Sequence, residues 1–127
     1  NLDMIEEMRT AALLQKVATG DATVLPAYET LKMATYNGAL ALGLADLGLL
    51  QPGRLADLIL VDLRRPHLYP RHDLAAHLVY AAHSADVDTV IINGEIVMEG
   101  RKVLTMDEED VMAQAQKCAD RLVGKEQ

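Results

Sequence analysis

Asp88-Thr89-Val90-Ile91-Ile92-Asn93-Gly94-Glu95-Ile96-Val97-Met98 is the stretch whose reading decides the fold. Two runs rich in β-branched residues flank Asn93-Gly94, a pair that tolerates the positive φ angles of a type I′ turn. The stretch therefore predicts an antiparallel hairpin. Going toward the C-terminus, Gly100-Arg101 turns the chain into Lys102-Val103-Leu104. Asp107 to Asp110 then supply a cap and an acidic first turn for a last helix reaching about Val123, with Val111, Ala115, Cys118 and Leu122 at helical spacing.

Upstream of the hairpin, Gln51-Pro52-Gly53 is a turn signal, and Ala56 to Val61 reads as a largely buried strand closed by Asp62. Pro66 and Pro70 bracket a loop expected to be extended. Leu74 to Ala82 is apolar around His77, and periodicity leaves helix and strand both open. Earlier still, Met4, Met8, Ala11, Leu14 and Ala18 recur at steps of four and three, which predicts an amphipathic helix from Leu2 to Ala18 with Asp3 and Glu6 at capping-box spacing. Pro26 opens a second helix to about Tyr36, and Asn37-Gly38 is expected to interrupt it or to cap a third, Ala39 to Leu42, ended by Gly43. The order is helices, strands, then a helix, which is an α+β pattern.

Composition limits what such a chain can do. It has 127 residues, 50% of them hydrophobic and 24% charged, enough for one core that buries roughly two-thirds of the unfolded surface. Its net charge of -7 argues against a nucleic-acid partner. Basic and acidic groups number 3 and 6 in residues 1–50, 6 and 7 in 51–105, and 3 and 6 in 106–127, so no third forms a basic patch. No apolar run reaches the roughly 20 residues a bilayer-spanning helix needs, and no signal segment opens the chain. The single cysteine fits a reducing compartment, and a cytoplasmic location is expected.

Candidate chemistry is sparse. His67, His72, His77 and His83 are separated by 5, 5 and 6 positions. Helical ligand pairs need i, i+3 or i, i+4 and strand pairs need i, i+2, so these read as loop and surface histidines rather than a metal site. Cys118 sits on the apolar stripe of the last helix, where a free cysteine packs as a small hydrophobe. Gly48 to Leu55 has the glycine spacing of a phosphate-binding loop but lacks its lysine and hydroxyl, and Pro52 removes a backbone donor. Asp107 to Asp110 diverge around a helix axis and are read as a solvated helix start. No catalytic, cofactor-binding or metal-ligating residue is assigned.

Longer motifs carry a resemblance. Asn1 to Arg9; Ala34-Thr35-Tyr36-Asn37-Gly38-Ala39-Leu40-Ala41-Leu42-Gly43-Leu44; Gly48 to Asp62, with Pro52-Gly53, Ala56-Asp57-Leu58 and Val61-Asp62; and His72-Asp73, Leu78-Val79-Tyr80, Asp86 to Val90 and Asn93-Gly94 occur in order. Together they resemble the C-terminal segment of amidohydrolase-superfamily enzymes, within the group of 5-methylthioadenosine/S-adenosylhomocysteine deaminases and triazine chlorohydrolases. Leu49 stands where that group more usually has Ser.

The resemblance implies a (β/α)8 barrel with its active site at the C-terminal ends of the strands. It also implies a divalent metal, commonly zinc, that activates water against an amino- or chloro-substituted ring carbon. The H-x-H pair of that site is missing here, the aspartate-bearing strand would lie just upstream of Asn1, and Asn1 would be the residue nearest the site. Residues 1–47 would complete the barrel with its last helix and connecting helices, 48–106 would form part of a flanking β-domain, and 107–127 a C-terminal helix.

Because residue 1 is Asn rather than Met, the chain is expected to be a piece of such an enzyme, inactive alone, whose whole form acts on a small ring substrate without nucleic-acid or membrane partners. Helix stripes and sheet edges that lack their partners are expected to drive self-association into a homo-oligomer. Two alternatives are an independent, non-enzymatic binding or scaffold domain, and a small metalloprotein built on the four histidines.

Overall fold

The computed structural model describes residues 2–124. Helix α1, Met4–Thr19, starts where the carboxylate of Asp3 accepts the backbone N–H groups of Ile5 and Glu6, and ends at Gly20 in the left-handed region. Its buried residues are Ile5, Met8 and Ala12. The stripe expected from spacing is thus displaced: Met8 is buried, but Met4 and Leu14 face solvent. Apolar residues occupy both sides of the helix, and the neighbouring elements decide which side is covered.

Helix α2, Ala27–Lys32, follows Pro26 and runs through a π turn, Met33–Asn37, into α3, Gly38–Ala41. Asn37 and Gly38 keep right-handed helical angles, so of the two expectations the interruption does not occur; the third helix is present one residue early, with Asn37 at its N-cap position but without a side-chain cap hydrogen bond. The irregularity is instead the wide turn just before them, which lets the helix change phase without breaking.

Strand β1, Leu58–Val61, pairs with β2, Val87–Ile92; β2 pairs with β3, Glu95–Glu99, and β3 with β4, Lys102–Val103, all antiparallel and in the order β1-β2-β3-β4. The predicted hairpin is present: Ile92 faces Glu95, and Asn93 and Gly94 have φ 51° and 81°. Asn93→Ala is expected to destabilise the fold by about 1 kcal/mol, since an ordinary residue in this left-handed position costs that much, whereas Asn93→Gly stays close to wild type. Urea unfolding of the two variants checks this.

Between β1 and β2 the chain forms a 3-10 turn, Pro66–Leu68, helix α4, Leu74–Ala76, a π turn, His77–Ala81, and a second 3-10 turn, Ser84–Asp86. The Pro66 to Pro70 segment therefore coils at its start rather than staying extended, and the open question over Leu74 to Ala82 resolves as helical. The core lies here, beside the sheet: Ile5, Met8 and Ala12 pack with Leu68, Val79 and Ala82, flanked by Ala27, Leu31, Ala34 and Val87.

Two expectations of burial are overturned. Ile59 and Leu60 in β1 are about half exposed, at 50% and 52%. Register places Leu58, Ile91 and Ile96 on one face and Ile59, Val90, Met98 and Val103 on the other, so the sheet is apolar on both sides. A single four-stranded layer cannot cover both. Helix α5, Glu108–Leu122, begins where Asp107 accepts from the N–H groups of Glu109 and Asp110, as its sequence predicts. Its apolar stripe is solvated, and Cys118 is exposed rather than packed because no described element lies over it.

Candidate functional site

A connected polar cluster sits where the β1 end meets the β2 start. His83 is extended, and the 3-10 turn that follows brings Asp86 back toward it. Oδ2 of Asp86 accepts the backbone N–H of His83 at 2.8 Å and lies 2.8 Å from Nε2 of His67. The carbonyl of Asp86 accepts the N–H of Asp62 at 2.8 Å, which ties the turn to the end of β1. Arg65 Nε approaches both acids, 3.6 Å from Asp62 and 4.0 Å from Asp86. The His67 and His83 rings are 5.1 Å apart and tilted.

Burial alone would raise the pKa of Asp86, which is 4% exposed. The hydrogen bonds from His67 and from the His83 N–H, with the positive groups nearby, outweigh that and hold it below the usual carboxylate value. Asp62 is also held low, first by the Arg64 N–H it accepts and then by the Arg64 guanidinium. The Asp86 side chain and carbonyl both serve the junction between sheet and helices. The cluster is a clamp, and it offers no activated nucleophile.

The other sequence candidates do not converge. His77 points its two ring nitrogens at the carbonyls of Asp73 and Pro70, at 2.7 and 3.0 Å, and so fixes its own turn. His72 is exposed. Asp110 is paired with Gln114. Among the described residues no group of three His, Cys, Asp or Glu side chains could hold a metal ion. The donors present do not assemble a zinc site: both ring nitrogens of His77 face carbonyl oxygens, and His67, whose Nε2 is held by Asp86, has no two further donors grouped with it among the described residues. Asn1 lies outside the described residues.

The Gly48 to Leu55 loop is closed on itself. Arg54 donates to the Ala45 carbonyl and to the Gln51 side chain. Gly48 presses against the backbone of the α2–α3 helix, which explains that glycine without a phosphate.

Sequence reasoning missed the His67–Asp86 pair, whose members are 19 positions apart. His83-Ser84-Ala85-Asp86 was missed as a capped turn too; the one local signal is that a carboxylate three positions on can accept the backbone N–H of the residue that opens the turn. Arg9 was also missed. Its Nη2 donates to the Ala82 carbonyl at 2.5 Å and ties α1 to the residue before His83.

Comparison with known proteins gives the following. The model of the amidohydrolase family matches residues 1–97. A 5-methylthioadenosine/S-adenosylhomocysteine deaminase from Pelotomaculum thermopropionicum is 71% identical over 99% of the chain, and a 5'-deoxyadenosine deaminase from Methanosarcina acetivorans is 50% identical over 98%. The chain spans 29% of the length of each of these relatives.

Among solved structures, an adenosine deaminase from Xanthomonas campestris with bound zinc superposes with a TM-score of 0.95 at 40% identity, over 98% of this chain and 28% of that one. An atrazine chlorohydrolase from Arthrobacter aurescens TC1, complexed with zinc, gives 0.82 at 31% identity, over 89% of this chain and 25% of that one. No helix among the described residues is long and apolar enough to cross a membrane.

Proposed function

Because the chain belongs to the amidohydrolase family, we propose that it is the C-terminal part of a cytoplasmic, metal-dependent enzyme that hydrolytically removes an amino group, or a chloro group, from a purine or triazine ring. The adenosine-type ring is favoured, since the relatives at 71% and 50% identity are named for adenosine derivatives. Residues 1–47 supply the last barrel helix and connecting helices, 48–106 part of the flanking β-domain, and 107–127 the final helix. Metal binding and the reacting groups belong to the remaining length of the protein, because the donors described above do not converge.

The observation that carries this reading is the near-complete superposition on the zinc-bound adenosine deaminase, at 40% identity. The two-sided apolar sheet and the solvated stripes of α1 and α5 also support it, since both need covering surfaces. On its own the chain covers them by self-association. The test is a chimaera in which these 127 residues replace the matching segment of the Pelotomaculum relative. It is expected to deaminate 5'-methylthioadenosine with kcat/KM within about tenfold of the parent, while the isolated chain with added zinc releases no ammonia. Turnover by the isolated chain, or a folded chimaera without activity, sinks the proposal.

A further inference from the structure

We propose that Arg9 is a positioning residue: with Asp3 it makes the Ala82–Asp86 segment a strap that fixes the start of α1 against the sheet, and through that start it holds the reacting face of the whole enzyme in place. The inference rests on the reading of residues 1–47 as the end of a barrel. A barrel helix begins at the loop that follows its strand, and those loops build the active-site face. The N-terminal end of α1, capped by Asp3, then stands on that face.

The strap is anchored from both sides. Ala82 is fully buried. Its N–H closes the π turn on the His77 carbonyl at 2.7 Å, but its backbone is extended, at φ -68° and ψ 157°, so its own carbonyl has no helical donor. A buried acceptor of this kind needs a partner. Nη2 of Arg9 supplies one at 2.5 Å, across 73 positions of sequence. Nε of the same guanidinium is buried without a partner among the described residues, which places the inner part of the group out of water, where a charged donor binds more strongly. Two positions after Ala82, the Ser84 hydroxyl hydrogen-bonds the Asp3 carboxylate, which also accepts the Ile5 and Glu6 N–H groups. Asp3 and Arg9 are six positions apart, about 9 Å along a helix. Contacts at that separation fix the tilt of α1 as well as its place. From the other side, the Asp86 carbonyl accepts the Asp62 N–H at the end of β1, and β2 starts at the next residue, Val87. A shift of the sheet is therefore passed to α1 through Ala82–Asp86.

The experiment uses the chimaera described above, at a temperature where every variant is folded. Arg9→Met keeps the side-chain stem and removes the donor. It is expected to lower kcat about tenfold, less than the roughly hundredfold cost of a 1 Å misplacement, with KM within about twofold, and to speed amide hydrogen exchange in the first turn of α1. Arg9→Lys, which keeps one charged donor, should recover part of the kcat. Ser84→Ala, at an exposed position, should move both readouts the same way by less, and it decides with Arg9→Lys if Arg9→Met does not fold. Gly53→Ala is the control. Its Cβ would meet nothing within 4 Å, so it should lower stability and leave both kcat and the exchange of α1 unchanged.

Arg9 and Ser84 variants with the kcat and α1 exchange of an active parent chimaera overturn the strap and leave the family reading standing. A loss of kcat no greater than that of Gly53→Ala, or one that Arg9→Lys does not reduce, overturns the positioning role. A folded parent chimaera without activity sinks the proposed function and this inference with it.

Discussion

Gly48→Ala is expected to destabilise the protein by about 3 kcal/mol, the sum of a left-handed backbone penalty and overpacking. Gly48 has φ 82°, and a Cβ built there would stand 2.7 Å from Tyr36 Cα, 2.8 Å from the Thr35 carbonyl oxygen and 3.0 Å from Ala39 Cβ. Two of these three neighbours are backbone atoms of the π turn, which cannot rotate aside as a side chain would. The loop after α3 must therefore lift off the helix, and the buried Ala39 loses its cover.

Gly53 is the internal control. Its φ is 86°, yet nothing lies within 4 Å of the Cβ position. Gly53→Ala should cost only the backbone part, about 1 kcal/mol. Chemical denaturation followed by circular dichroism reads the difference. Equal losses at the two positions would show that close packing at Gly48 contributes nothing.

Asp86→Ala is expected to cost about 3 kcal/mol, since it removes a buried, hydrogen-bonded carboxylate and leaves the His83 N–H without its acceptor. The value sits at the low end of the range for a broken buried pair because the partner imidazole of His67 is 38% exposed and can be resolvated. Asp86→Asn keeps one acceptor and should lose less.

The pH dependence has a definite sign. The carboxyl pKa is lower in the folded protein than in the unfolded chain. Its contribution is therefore complete above the ordinary aspartate value of about 3.9 and is lost as pH falls below that toward the folded value. Wild-type stability should decline over that acidic window more steeply than the stability of Asp86→Asn, and the two curves should run parallel near neutrality. Parallel curves throughout the acid range would remove Asp86 from the clamp.

Local elements were legible where a short-range geometric demand selects the residue. Asn93-Gly94 announces its turn because few residues accept two successive positive φ angles. Asp3 and Asp107 announce helix starts because a short carboxylate reaches the free N–H groups two and three positions on. The candidate site was less legible. The capping distance from His83 to Asp86 is local, but His67 arrives from across the 66–76 excursion, and nothing in its own neighbourhood of sequence marks it.

The sequence by itself determined the order of elements, the hairpin register and, through its longer motifs, the family. It did so because backbone preferences, caps and turns act over a few residues. Tertiary structure decided which apolar face is covered: Ile5, Met8 and Ala12 of α1 rather than the outer stripe, a phase-shifting π turn instead of a break at Asn37, and a solvated Cys118 in place of a packed one. A hydrophobic face is only a demand for a partner, and which partner meets it depends on the elements that surround it in space.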